Sequence, residues 1–243
     1  MNRNSMIVAT VATVSLGTTL VASAGVASAQ EAQVKDEARS SESGRSLPAA
    51  TGAIELTVGT GYAQGFGDVA SNHATLKDVS TAGGAVQVGV GYRIIPQLTL
   101  GVYGSGAAFG RGDLVANDAN LYSATAGIQA DWHFLPRGNQ WDPWVSLGTG
   151  WRGYWINQDQ GTTTLHGWEV AKLQVGVDYR LTPAVAISPV VGADISAFFT
   201  ESTPQSSGYA NLSSPQANTF VFAGVMGRFD VPTRGTDASV ASR

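Results

Sequence analysis

The chain of 243 residues contains no cysteine, so it can form no disulfide framework, carry no lipid on a thiol and offer no thiolate to a metal. Charge is scarce as well, at 13% of residues with a formal net charge of −4. The few bases are scattered, which leaves no electrostatic footprint for nucleic acid. Histidine occurs three times, as His73, His133 and His166, with no two close in sequence. No acid–histidine spacing therefore suggests a metal site, and no cofactor is expected. After the first segment, long apolar runs are also missing. A membrane helix needs about 20 consecutive apolar residues, and here apolar and polar residues interleave, with a mean hydropathy close to zero.

What is present is glycine, at 30 residues, and a repeated turn signal. Gly91-Tyr92-Arg93-Ile94-Ile95-Pro96, Asp131-Trp132-His133-Phe134-Leu135-Pro136 and Asp178-Tyr179-Arg180-Leu181-Thr182-Pro183 share one pattern. Each runs from a small or acidic residue through an aromatic, a base and an apolar residue to a proline two positions on. Each closes one run of alternating residues and precedes another. Proline cannot donate to a strand ladder, so it marks the end of pairing. An aromatic just before such a turn is where a membrane barrel places its interfacial girdle.

The first segment is the exception to the interleaving. A short polar start bearing Arg3 leads into an apolar stretch diluted by Thr, Ser, Gly and Ala, and Ala27-Ser28-Ala29 fits the small-x-small cleavage rule. Residues 1–29 therefore read as a signal peptide cleaved after Ala29, with Ala27 and Ala29 as the small residues of the site; the competing permanent helix would not be followed at once by a cleavage site. Residues 30–51 are too polar to bury a core and read as a disordered periplasmic leader. Residues 52–230 form the folded unit, and residues 231–243 form a polar tail.

Alternation counts eight strands. Apolar faces run through Ile54–Tyr62, Val86–Tyr92, Leu98–Val102, Tyr122–Phe134, Val145–Trp151, Leu173–Leu181, Val185–Ile195 and Val221–Phe229. Their length of about ten residues suits a tilted crossing of a bilayer. An even count closes an antiparallel sheet with both termini on one side. Short connections at Pro96, Pro136 and Pro183 alternate with longer polar ones at residues 65–82, 110–120, 157–164 and 201–217. The reading is an all-β, eight-stranded antiparallel up-and-down transmembrane β-barrel.

One face of each strand is nearly free of charge. The other carries Glu55, Arg93, Asp131, Arg152, Lys172, Asp178, Arg180, Asp194 and Arg228. With the charge-free face in lipid, these nine share a narrow lumen, five basic and four acidic, in the near balance that a packed interior requires. Pairing Leu181 with Val185 across Thr182-Pro183-Ala184 sets Lys172 opposite Asp194, within reach of an ion pair; the alternative is that each neutralises a different lumen charge. Tyr92, Trp132 and Tyr179 sit at strand ends beside the turns, and Tyr62, Trp151 and Trp155 towards the opposite ends. That distribution makes two interfacial belts.

The -GYRIIPQLTLG- and -VDYRLTPAVAIS- hairpins, the -DWHFLPRGNQWDPWVSLGTGW- connection and the terminal -AGVMGRF- strand resemble the small bacterial outer-membrane barrels, the group that includes the OmpA transmembrane domain, OmpX and OmpW. The resemblance covers most of residues 52–230. It implies an integral outer-membrane location in a Gram-negative envelope, with lipid and lipopolysaccharide as surroundings. It also implies that the barrel-assembly machinery reads the terminal aromatic of the last strand, here Phe229, although in this chain a polar tail follows it.

Three local patterns carry less. Gly148-Thr149-Gly150-Trp151-Arg152-Gly153 has dinucleotide-loop spacing but opens no helix, and its glycines more simply make room in the lumen. Arg111-Gly112-Asp113 is an ordinary polar turn element that happens to spell an adhesion tripeptide. Asn211-Leu212-Ser213 matches a glycosylation acceptor that a bacterial outer membrane makes irrelevant. Some barrels resembling lipid A deacylases need a His-x-Ser pair near the outer leaflet, and none of the three histidines provides one. The leading expectation is a non-enzymatic structural barrel for envelope integrity with surface-exposed loops. A porin-like channel for small or hydrophobic solutes comes second, as the OmpW resemblance implies, and an outer-leaflet enzyme third.

Overall fold

A computed structural model describes residues 52–68, 75–135, 140–205, 208–212 and 214–233. The signal segment 1–29 with Ala27 and Ala29, the leader at 30–51, Pro136 and most of the tail lie outside the described residues. The strands are β1 (Ala53–Phe66), β2 (Ser80–Ile95), β3 (Leu98–Arg111), β4 (Asn120–His133), β5 (Trp141–Gln158), β6 (Gly161–Thr182), β7 (Val185–Ser202), the two-residue β8 (Ala210–Asn211) and β9 (Ala217–Pro232), with a one-turn helix α1 (Leu76–Val79) between β1 and β2. Each long strand pairs antiparallel with its neighbour in sequence, β1 pairs with β9 and β7 with β9. The sheet is thus a closed eight-stranded barrel, with β8 a short flap on the end of β7.

Alternation predicts the fold because period two puts successive side chains on opposite faces. Val58, Val86, Val102, Ile128, Leu147 and Val175 point outward and are about half exposed, while Glu55, Gln87, Thr99, Asp131, Ser146 and Gln174 point inward and are buried. In a water-soluble barrel this polarity would be reversed. An apolar exterior around a charged interior is the arrangement that lipid imposes. Val175→Arg is therefore expected to cost about 2–4 kcal/mol, as a base on the lipid face at mid-depth does, read from refolding titrations into lipid vesicles. Gln174, one residue away, is a poor neutral comparison, because its amide and that of Gln87 exchange hydrogen bonds of 2.9 and 3.2 Å across the lumen.

The strands are longer than expected. They run from 14 to 22 residues among the eight that close the barrel, and at about 3.3 Å per residue the longest extend well past an apolar band of about 25 Å. The span 157–164, expected as a loop, is continuous strand broken only at Asp159 and Gln160, with Gly161 at a φ of +129°. β9 likewise continues past Phe229 and Asp230, and Pro232 pairs with Ala53. The barrel therefore ends two residues beyond the expected boundary of 230.

The two ends differ. The turn end has the tight connections at 96–97 and 183–184, the connection 134–140, and both barrel termini. The loop end has the longer excursions 67–79, 112–119 and 203–216. There α1 starts at a capping box between Thr75 and Asp78 and buries Leu76 completely. Gly112 N donates to Val79 O and Leu114 N to Asp78 O. The Arg111-Gly112-Asp113 stretch is thus held by backbone to the first loop rather than presented as a free tip.

Candidate functional site

The interior is the part of this molecule with chemistry in it, and it is built in layers. At the loop end Phe109, Tyr154, Phe198 and Phe220 pack ring against ring, with centroids 5.9 to 6.4 Å apart, and Leu76, Leu121 and Leu165 fill the space around them. Rings at this spacing gain stacking energy beyond their burial. The lumen is therefore stoppered by an apolar plug below the loops.

Beneath the plug lies a balanced ionic layer. The Arg152 guanidinium rests 4.0 Å from the centre of the Phe220 ring, meets Asp194 at 2.7 Å and Glu169 at 3.4 Å, and donates to Ser123 Oγ at 3.4 Å. Lys172 lies 3.6 Å above the Tyr103 ring and donates to Gln129 Oε1 at 3.2 Å. Lys172 does stand opposite Asp194 in the ladder, as the hairpin register requires. The expected ion pair between them does not form: Arg152 takes Asp194, being longer and able to reach two acids at once. A cavity of about 50 Å³ remains here, lined among others by Gln87, Ser105, Lys172 and Asp194. That is room for a few waters.

Next comes a thin layer in which Trp144, Val190 and Met226 pack together, Trp144 Nε1 donating to Ser188 Oγ at 2.9 Å. At the turn end a second ionic layer follows. Glu55 is gripped from both sides by Arg93 and Arg228 and accepts from Thr99 Oγ1 at 3.2 Å. Arg180 meets Asp230 at 2.9 Å, and Arg228 Nε lies 2.9 Å from Asp178 Oδ2 and Nη1 4.0 Å from Asp131. His133 Nδ1 is 2.9 Å from Asp142 Oδ2 and 3.9 Å from Asp178 Oδ2.

This layer explains the repeated turn signal. Arg93 Nη1 donates to Pro96 O at 3.1 Å and Arg180 Nη1 to Pro183 O at 3.4 Å. In two of the three copies the base folds inward and bonds the proline carbonyl that the turn leaves without a ladder partner. In the third, His133 reaches Asp142 instead.

All nine charged residues expected in the lumen point into it. Four more ionisable groups join them: His133, Asp142, Glu169 and Asp230. The expected near balance of charge is therefore corrected to seven carboxylates against five permanent bases. Three of the four escape the alternation for a physical reason. Asp142 and Asp230 lie where strand ends outrun the alternating apolar run. Glu169 has the outward parity of Leu173, but a bulge at Val170 and Ala171 leaves both of those outside and turns Glu169 inward.

The expected belts are also placed. Tyr92, Trp132 and Tyr179 face outward at the turn end, joined by Trp141, whose ring lies 4.7 Å from that of Tyr179. Tyr62, Trp151 and Trp155 face outward at the loop end, joined by Tyr122, Trp168 and the His166–Tyr209 pair. Phe229 is on the outer surface, opposite Leu56 and Val185. Trp144, Tyr103 and Tyr154, by contrast, point inward.

Among the glycines of 148–153, Gly148 leaves space for Tyr103, as luminal room would require. Gly150 serves the wall instead. It faces Gly127 across the ladder, and a Cβ on either would lie 2.2 to 2.3 Å from a carbonyl oxygen of the other strand. Gly150→Val should therefore spread β4 from β5, seen as loss of the compact, SDS-resistant form on unheated gels.

No protein-family model matches the chain, and no curated protein matches it by sequence. Solved structures of similar shape include several outer-membrane proteins. Neisserial surface protein A is 15% identical with a TM-score of 0.48, covering 74% of this chain and 96% of its own. OprG from Pseudomonas aeruginosa is 12% identical with a TM-score of 0.47, covering 75% and 98%. The outer membrane protein AlkL is 11% identical with a TM-score of 0.47, covering 80% and 95%. With its closed antiparallel sheet, apolar exterior and ionic interior, this chain has the fold of an eight-stranded transmembrane β-barrel.

Proposed function

We infer that this protein is a structural outer-membrane barrel whose lumen is a packed core rather than a pathway, and whose loops are its working surface. One observation carries the reading: the aromatic plug, two ionic layers and the Trp144–Met226 layer occupy the lumen in turn, and the cavity at the loop-end ionic layer measures only about 50 Å³. An eight-stranded barrel has room for side chains and little else, and here those side chains are cross-linked by charge. The outward aromatic belts support placement in a bilayer, and Phe229 on the last strand supports recognition by the assembly machinery.

The competing channel reading is tested directly. Purified barrel in planar bilayers is expected to show no steady conductance, and Phe220→Ala with Phe198→Ala, which thin the plug, are expected to open none while Arg152 still bridges Asp194 and Glu169. Steady conductance in the unsubstituted protein that changes when Arg152 or Lys172 is replaced would establish the channel instead.

A further inference from the structure

The two ionic layers differ in charge. The loop-end layer sets Glu169 and Asp194 against Arg152 and Lys172, and balances. The turn-end layer sets five carboxylates, Glu55, Asp131, Asp142, Asp178 and Asp230, against three guanidiniums, Arg93, Arg180 and Arg228, all fully or almost fully buried. His133 apart, the carboxylates outnumber the guanidiniums by two among the described residues. A surplus of that size is costly in a space closed to water.

The surplus has a geometric focus. Ligand atoms of His133, Asp142 and Asp178 lie within 4.8 Å of one another. His133 Nδ1 is 2.9 Å from Asp142 Oδ2 and 3.9 Å from Asp178 Oδ2. Ligand atoms around a tetrahedral zinc at about 2.0–2.1 Å stand about 3.3 Å apart, so small side-chain shifts close the set. Asp142 is already oriented, its Oδ1 accepting from Leu135 N at 3.0 Å. Both oxygens of Asp178 and Nε2 of His133 are buried with no aligned hydrogen-bond partner, Ser188 being the hydroxyl that approaches Asp178. Arg228 Nε lies 2.9 Å from Asp178 Oδ2 but is not aligned to donate to it. A carboxylate buried this completely, with only Ser188 and a misaligned guanidinium beside it, is under-bonded for a finished interior.

We propose that the turn end of the lumen binds one divalent transition-metal ion through His133, Asp142 and Asp178. One imidazole and two carboxylates are a donor set for zinc-like ions rather than for soft, thiolate-seeking ones. Its two positive charges cancel the surplus of the layer. The ion fastens the end of β4 to the start of β5 and to β6, beside the connection 134–140, which is the longest in sequence at that end of the barrel. Binding to the folded barrel alone adds to its stability by mass action.

The test uses untagged, refolded protein in detergent, stripped with chelator and then offered zinc chloride as the probe. Bound zinc is counted by mass spectrometry after removal of excess. About one zinc per barrel is expected, with a urea midpoint that rises on loading. His133→Gln and Asp178→Asn should lower zinc affinity at least about 100-fold, since even outer-shell losses cost 10–100-fold. His73→Gln and His166→Gln should leave it unchanged. Asp178→Asn also relieves the charge surplus, so it should fold even where His133→Gln does not. Zinc uptake by the unsubstituted barrel no greater than by Asp178→Asn would overturn the proposal. So would loss of zinc in His166→Gln with retention in His133→Gln.

Discussion

Arg228→Met is expected to destabilise the metal-free barrel by about 3–5 kcal/mol, the cost of stripping a buried charge cluster of one partner. Glu55→Gln, which removes a carboxylate from the same cluster, should cost clearly less. Pairwise contact alone would not separate them, because Glu55 holds two guanidiniums and Arg228 reaches three carboxylates. The difference lies in the layer. Losing a base raises the buried surplus from two negative charges to three, whereas losing an acid lowers it to one. After Glu55→Gln, Arg93 still has Asp230 at 3.6 Å and Arg228 still has Asp178 at 2.9 Å. After Arg228→Met, Asp178 keeps the His133 imidazole within 4 Å and Asp131 keeps no base within that distance among the described residues. Unfolding midpoints in urea, in lipid vesicles with chelator present, measure both. Equal losses would mean that local pairing, and not the layer's net charge, sets the stability of this end.

The barrel was legible in the sequence because its wall obeys one local rule. Period two, interrupted by proline or glycine turns, fixes which residues face lipid, and no long-range information is needed to read it. Strand lengths were less legible, because beyond the bilayer the lipid-facing positions no longer have to be apolar. Asn157 to Thr164 reads as a polar loop on composition, yet it is paired strand. The interior was legible only in part. Parity names the residues that point inward, but not their partners, since these lie across the lumen on strands far apart in sequence. Asp142 and Asp178 stand opposite each other in the β5–β6 ladder and His133 opposite Trp144 on β5. Their convergence depends on two registers at once. The aromatic plug was hidden for the same reason: Phe109, Tyr154, Phe198 and Phe220 come from four different strands.

Arg152→Met should likewise cost about 3–5 kcal/mol, because it abandons Asp194 and Glu169 together in a buried layer, while Lys172→Met should cost clearly less. The ladder alone argues the opposite, since it sets Lys172, not Arg152, directly across from Asp194. Proximity of backbones, however, does not decide which charges meet. The Lys172 ammonium is drawn instead to the Tyr103 ring and to Gln129, and a ring face can hold a cation by its quadrupole without neutralising it. The planar guanidinium of Arg152 reaches two carboxylates while stacking on Phe220, and its loss also removes the floor of the aromatic plug. Asp194→Leu added to Arg152→Met should recover much of the loss, because it removes one of the two stranded acids; added to Lys172→Met it should recover little. Double-mutant cycles on the two pairs, read from refolding into vesicles, separate the possibilities. Strong coupling of Asp194 to Lys172 with additivity towards Arg152 would show that the ladder neighbours pair after all and that the bridge to Arg152 contributes nothing.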